Sequence, residues 1–397
     1  MPCSSRPPNG PRHVGAKSAE RVLDRRTLLR RAGQTAAGLL VAGSLGELVS
    51  ACGGGDGDVD APSGGGGSSG APPTTGLPAR DVAFTKGLHE LGRGVYAYLL
   101  PDGGWMWSNA GLIVGDDQAI VVDTLCDVQR ATEMLATVRS QVPAVARITT
   151  VVNTHADGDH TFGNQVFGDA EIVTTKITAD DMAAAIPPSA LQAYKDNPPP
   201  GPSGEFAQAI MAPFDYRDVV PTLPTSTFEE RRTLSIGGRE VSLIDLGPAH
   251  TRSDVVVHLP DAAVVFAGDL LYNGVHPLVS TGPISSWIAA LDRIVALDPR
   301  IVVPGHGAVA DTATVTGFAD YLRWLTEEAT QRHAAGMTPL DAARDIVTAA
   351  NPYASWLAPE RMAINVNTVY RGLGDDLPTA LFPTLYEQMA TLWKELR

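Results

Sequence analysis

From residue 81 onward, short apolar or β-branched runs alternate with polar turns. "GVYAYLL", "AGLIVG" and "QAIVVDT" read as strands separated by "PDGG" and "DD" turns. "DVQRATEMLATVRSQV" places apolar residues at helical spacing, and "ITTVVNT" then reads as a buried strand. The order strand, strand, helix, strand, loop predicts a layered α/β protein. Residues 176–225 break this rhythm with short helical pieces around a proline-rich turn, "KDNPPPGPSG", which suggests an inserted flap. Strand character returns in "TLSIGGREVSLIDLG", a hairpin turning at Gly237 and Gly238, and in "DVVVHLPDAAVVFAGDLL". "PISSWIAALDRIVAL" is an amphipathic helix, and "RIVVPGHG" is a last strand opening into a glycine-flanked histidine. The pattern therefore divides the body into an α/β domain over 81–312 and a helical region over 313–397.

The first fifty residues follow a different logic. "DRRTLLRRAG" sets Arg25 and Arg26 ahead of the apolar stretch "AAGLLVAGSLG", and "LVSAC" follows. A basic segment, an apolar segment of about ten residues and a small-residue end read as an export signal, too short for the roughly 20 residues that span a bilayer. With Leu28, Leu29 and Arg30 in their favoured places, the start resembles a twin-arginine signal. "LVSAC" resembles a lipoprotein box, which makes Cys52 the lipidated residue, although Glu47 lies unusually close to the cleavage point. The rival readings are a plain exported protein and a basic amphipathic helix that stays attached. Residues 53–80, rich in Gly, Ser and Pro, read as a flexible tether. The expected location is extracytoplasmic, on a membrane surface through a lipid anchor.

Charge and cysteines narrow the picture. The chain has 397 residues, and residues 1–52 hold eight Lys/Arg and three Asp/Glu, so the remainder carries 22 basic and 41 acidic side chains, near −19. Such a surface argues against nucleic acid, whose phosphates demand clustered Lys and Arg. Cys126 is the one cysteine beyond the signal, which leaves it no disulfide partner. It reads as a small buried residue rather than a nucleophile.

Chemistry-bearing residues gather where strands end. "VVNTHADGDHTFGN" holds His155, Asp157, Asp159 and His160; "GPAHT" holds His250, "FAGDLL" Asp269 and "VPGHG" His306. His and Asp are ligand types for zinc, iron or manganese, and about seven of them suffice for two ions. Asp123, ending "AIVVDT", reads either as a supporting residue or as a turn former. His276 in "NGVHPL" lines a pocket or caps a turn, and His258 in "VVVHLP" reads as structural.

The order and setting of these four motifs resemble the metallo-β-lactamase superfamily over roughly residues 85–312. The resemblance implies a four-layer αββα sandwich, here with a helical C-terminal extension, and a site for two divalent ions, zinc first, with iron or manganese as alternatives. It assigns His155, Asp157 and His250 to one ion and Asp159, His160 and His306 to the other, with Asp269 bridging. Asp157 departs from the pattern, since most of the superfamily has H-x-H-x-D-H where this chain reads H-A-D-G-D-H. A carboxylate there makes the site harder and more negative. Diiron flavoproteins of the superfamily carry a glutamate at that position.

The reaction implied is hydrolysis by a metal-bound hydroxide of an ester, thioester, lactone, lactam or related bond in a small molecule. Asp159 is the candidate for taking up a proton. True β-lactamase activity is not favoured, because Asp269 and the "VPGHG" histidine look more like the glyoxalase-type thioesterase branches. Two rivals stand beside this reading: a non-haem iron redox enzyme of the sulfur dioxygenase kind, and a metal-binding lipoprotein without catalysis. The oligomeric state is not legible.

Overall fold

The computed structural model describes residues 81–397. The export signal, Cys52 and the tether lie outside the described residues. One sheet runs in the order β1 (Gly87–Gly92), β2 (Val95–Leu99), β3 (Ala110–Gly115), β4 (Gln118–Val122), β5 (Arg147–Val152), β6 (Glu171–Thr175) and β7 (Ser226–Phe228). The first four strands form an antiparallel meander, and β4 to β7 run parallel. The second sheet comprises β8 (Arg231–Ile236), β9 (Arg239–Asp245), β10 (Val255–Leu259), β11 (Val264–Asn273) and β12 (Ile301–Gly307), antiparallel except for the β11–β12 pair. The β8–β9 turn falls on Gly237 and Gly238, with φ of 54° and 74°. Two consecutive positive φ angles match the right-handed twist of a hairpin and select glycine.

Side-chain alternation explains why these strands make a sandwich. Along β2, Val95, Ala97 and Leu99 face the second sheet, whereas Tyr98 faces outward. Along β4, Ile120 and Val122 point inward while Ala119 and Val121 point out. The second sheet answers with Val255, Val257, Val264 and Phe266 inward, and Val256 and Val265 outward. A strand with both faces apolar must be covered on both. Helix α1 (Val128–Gln141) covers the first sheet through Ala131, Met134 and Val138, and is capped by Asp127, whose side chain accepts from the Arg130 backbone N–H. The strand order and these covering helices are the αββα layering that the family resemblance implies.

A single-turn helix α2 (Gly158–Thr161) lies in the loop after β5. The 176–225 segment forms α3 (Lys176–Ala184), α4 (Pro188–Asp196) and α5 (Pro202–Met211) before the chain re-enters the first sheet as β7. Across the second sheet pack α6 (Ile284–Ala296), α7 (Thr312–Ala334), α8 (Pro339–Thr348), α9 (Met362–Gly372) and α10 (Tyr386–Glu395). Trp287 of α6, fully buried, donates its indole N–H to the Leu270 carbonyl at 2.9 Å and ties this layer to β11. Among the described residues no helix is long and apolar enough to cross a membrane.

The flap is closed into this layer rather than lying loose over it. Phe206 of α5 is fully buried, 5.3 Å from the Tyr386 ring and 5.6 Å from Trp393, both on α10. Lys394 meets Glu205 at 2.8 Å, an exposed pair worth little by itself. The aromatic contact therefore holds the flap to the end of the chain. Phe206→Ala should cost about 3–5 kcal/mol through lost burial and an unfilled cavity, measured as a lowered denaturant midpoint.

Candidate metal centre

Parallel pairing of β4 with β5 brings their carboxyl ends to one edge, so Asp123 and the His155–His160 loop lie side by side. His250 sits in the β9–β10 connection, Asp269 within β11 and His306 near the end of β12. Open α/β sheets place ligands at such strand ends. The β11–β12 pairing is irregular: between the partners Gly268↔Pro304 and Tyr272↔His306, β11 spends four residues where β12 spends two. This bulge swings Asp269 and Tyr272 toward the same space. Gly305 is required by close approach, because a Cβ there would lie 1.9 Å from Asp269 Oδ1.

Each histidine is fixed from behind. His306 Nδ1 donates to the Gly103 carbonyl at 3.1 Å, and His250 Nδ1 to the Leu278 carbonyl at 3.2 Å. His160 Nδ1 donates to Asp123 Oδ2 at 2.8 Å. Thr154 gives its hydroxyl proton to the same Asp123 oxygen at 2.7 Å, leaving its own oxygen to accept from His155 Nδ1 at 3.0 Å. Two of these acceptors are carbonyls, which can only accept, and the others are an aspartate and an already committed hydroxyl. All four rings therefore carry hydrogen on Nδ1 and turn Nε2 forward, the arrangement second-layer partners impose on metal-binding imidazoles.

The four Nε2 atoms converge on one carboxylate. Asp269 lies 3.1 Å from His160, 3.4 Å from His306, 3.5 Å from His250 and 3.9 Å from His155. Asp159 adds an oxygen 3.3 Å from His306 and 3.9 Å from His160. Asp157 lies 3.1 Å from His250 and 3.8 Å from His155, with its side chain 44% exposed. Two triads result, His155–His250–Asp269 and Asp159–His160–His306, each with its donor atoms mutually within 4.8 Å. All seven residues predicted from sequence are thus brought together.

Burial opposes charge on every one of these groups, and mutual pairing overrides it at most of them. Burial raises the Asp157 carboxyl, but the hydrogen bond with His250 and the charge of His155 bring it down to about 2. Burial likewise lowers His250, yet Asp157 and Asp269 lift it to about 9. Against burial, His306 and His160 hold Asp269 well below the usual carboxylate range. At His155 burial wins, joined by the charge of His160, and the ring is pushed down. The carboxylates are accordingly held ionised, in their ligand form.

Three buried atoms of this cluster have no hydrogen-bond partner: His155 Nε2, His160 Nε2 and Asp269 Oδ1. Orphaned lone pairs in a dry interior are costly unless something binds them. Divalent cations satisfy them, and the mixed imidazole–carboxylate donor set suits zinc, iron or manganese.

Several side chains around the centre have no signature in the sequence. Asp123 combines both expected roles: it sits at φ 58°, a turn conformation, and it anchors His160 and, through Thr154, His155. Thr154 itself carries no motif. Asn109 donates to the Pro304 and Gly307 carbonyls and so staples the segment that bears His306. Tyr272 donates its hydroxyl to Asp269 Oδ2 and stacks parallel on His306, ring centroids 5.1 Å apart. The bulge that aims Tyr272 is a tertiary feature. His276 stays outside the centre, bonded to the Tyr321 hydroxyl at 2.9 Å and pushed down to about 4 by burial and by the charge of Arg361. His258 lies on β10 away from the site. Cys126 is fully buried, and burial raises its thiol well above the ordinary value, which removes the reactive thiolate.

A two-sheet sandwich with this histidine–aspartate centre defines the class of metal-dependent hydrolases built on the αββα fold. The chain belongs to the metallo-β-lactamase superfamily, whose profile matches residues 103–306. Members of this superfamily usually bind divalent metals, often zinc, and the chain is an enzyme of this hydrolase fold. It is 26% identical over 215 residues to an acyl-coenzyme A thioesterase, MBLAC2, of Gallus gallus, a match covering 50% of this chain and 72% of the relative. It is 27% identical over 198 residues to the 2,4-dinitroanisole O-demethylase subunit alpha of a Nocardioides species, covering 49% of this chain and 51% of that subunit. Its fold is similar to that of a stereoselective inverting sec-alkylsulfatase from Pseudomonas, with a TM-score of 0.55 and 16% identity over 72% of this chain and 50% of that one.

Two substitutions probe the frame rather than the ligands. Asp123→Asn should weaken metal binding about 10–100-fold while the protein stays folded, read by competition with a chromophoric chelator. Gly305→Ala should displace the Asp269 carboxylate and lower the bound metal per chain, read by elemental analysis.

Proposed function

We propose that this chain hydrolyses an ester, thioester, lactone, lactam or related bond of a small molecule, using two divalent metal ions, zinc by preference. The observation that carries the reading is the convergence of four Nε2 atoms on ionised Asp269, with three buried ligand atoms left unpartnered. In this reading His155, Asp157 and His250 hold one ion, Asp159, His160 and His306 the other, and Asp269 bridges. Ions bound there would supply Lewis acidity and lower the proton affinity of water for attack on an electrophilic centre.

The chain's own groups then have separate tasks. Asp123, Thr154 and the Gly103 and Leu278 carbonyls keep hydrogen on Nδ1 of the four rings, so that no ligand rotates away. Asp159 is the proton acceptor, because one oxygen is engaged near His306 and its side chain keeps 11% exposure toward solvent. Tyr272 steadies Asp269 through its hydroxyl. The similarity to an acyl-coenzyme A thioesterase supports acyl transfer to water as the reaction class. We further propose that the chain is exported through a twin-arginine-type signal and anchored at Cys52, on the strength of "DRRTLLRRAG" and "LVSAC". Its workplace would then be the extracytoplasmic face of the cell membrane.

Asp157 gives the alternative its one specific support, since a carboxylate in that position also suits iron. Elemental analysis of protein purified without added metal, with an ester, thioester and lactone panel, separates the two. We expect close to two ions per chain and turnover that a chelator abolishes and zinc restores. Iron with oxygen consumption in place of hydrolysis would overturn the hydrolase reading. Asp157→Ala should lose metal and at least about tenfold in rate, whereas Asp157→His should retain both. An Asp157→Ala protein with full metal content and full rate would remove Asp157 from the ligand set.

A further inference from the structure

The C-terminal helical region contributes one residue beside the metal centre that the reaction as described does not use. Arg361 closes the short turn Pro359–Arg361 that leads into α9, and it is only 3% exposed. Its guanidinium lies over the Trp105 ring, 4.2 Å from the centroid, and 5.7 Å from the centroid of Tyr272. One ring touches the centre and the other belongs to a loop that supports it. Tyr272 stacks on His306 and donates to Asp269, and Trp105 belongs to the same loop as Gly103, whose carbonyl fixes His306. The cation therefore stands one ring's width from the ligands.

What surrounds Arg361 does not neutralise it. Of its five N–H donors, one is used: Nη1 donates to the His276 carbonyl at 2.9 Å. Nε is buried with no partner. The neighbouring carboxylate, Glu360, accepts the Trp105 indole N–H at 2.5 Å and makes no direct ion pair with Arg361. Among the described residues no carboxylate forms an ion pair with Arg361. Asp269, the nearest acid through Tyr272, is committed to four imidazoles.

An arginine cannot shed its charge, and a buried charge without a counterion is strongly unfavourable. Arg371 of α9 differs in being only part-buried and in spending its Nη2 on the Ser280 carbonyl and the Thr368 hydroxyl. The fork of unused N–H groups on Arg361 matches the two oxygens of a carboxylate or sulfate.

We propose that Arg361 is the anion-recognition residue of this active site, and that the substrate carries an oxyanion group a few bonds from the one cleaved. The proposal rests on the hydrolase reading for the reaction, though not for the binding. Trp105 and Tyr272 hold the guanidinium plane so that its free edge meets that group, which sets the substrate's register over the ions. The specificity element thus comes from outside the sandwich, on the helical extension.

The test uses protein as purified, with metal content matched between variants, and two esters that differ in one group: 4-nitrophenyl butyrate and mono-4-nitrophenyl succinate. Binding of inorganic sulfate is measured beside them by calorimetry. Wild type should favour the succinate in kcat/KM by at least about tenfold and bind sulfate. Arg361→Gln should collapse that ratio about tenfold or more and lose sulfate binding, with Arg361→Lys intermediate in both. Equal ratios and equal sulfate affinity in wild type and Arg361→Gln overturn the proposal. If wild type cleaves neither ester but sulfate binding still disappears in Arg361→Gln, simple esters are removed from the substrate range and the recognition role stands. Should Arg361→Gln fail to fold, Arg361→Lys and wild type decide: indistinguishable sulfate affinity and ester preference in these two, or no sulfate binding to wild type, overturns the proposal.

Discussion

Four imidazole rings held by their Nδ1 atoms must all present Nε2 to the same few cubic ångströms, and the rest of the structure is arranged around that requirement. Free rings in a crowded interior would rotate to find hydrogen-bond partners. Here each ring has its rear nitrogen occupied by an oxygen that accepts, so rotation would forfeit a bond already made. The result is a cluster of Nε2 atoms facing ionised Asp157, Asp159 and Asp269, in which His155 Nε2, His160 Nε2 and Asp269 Oδ1 are left without a partner. A cation is the one kind of species that meets both the lone pairs and the charges.

The sandwich makes this convergence possible because its two sheets approach the site from opposite sides. Asp123, His155 and His160 come from the first sheet, and His250, Asp269 and His306 from the second. The apolar layer between the sheets, including Val122, Val152, Phe266 and Val303, sets their spacing. Errors of half an ångström there would separate ligands that act together, so the stability of the core and the geometry of the site are one constraint. The helical extension belongs to the same apolar cluster as β11 and α6, and it reaches the centre through Arg361, Trp105 and Tyr272. A region whose sequence advertises only helices therefore shapes the chemistry.

Much of the fold was legible beforehand. Strand alternation in "GVYAYLL" and "QAIVVDT", the double-glycine hairpin and the amphipathic "PISSWIAALDRIVAL" each dictate local structure through period and turn chemistry alone. The seven ligand candidates were legible too, because histidines and aspartates in tight spacing after strands have few other uses. Less legible was the flap: three helices between proline turns gave no hint that Phe206 would be sealed against Tyr386 and Trp393, about 180 residues away. Long-range aromatic contacts leave no periodic trace.

The sequence by itself determined a layered α/β body and which side chains could bind metal, since apolar spacing sets the strands and helices and ordered motifs at strand ends carry the histidines and aspartates. Only the tertiary structure decided how the ligands are held and what else stands beside them. Thr154 became a hydrogen-bonded bridge between His155 and Asp123 because a backbone turn at Asp123 brought three groups within bonding range. Tyr272 reached Asp269 because β11 bulges against β12, and Arg361 reached Tyr272 because α9 folds back over the second sheet. Such contacts depend on the positions of atoms far apart in the chain, and no local pattern encodes a distance.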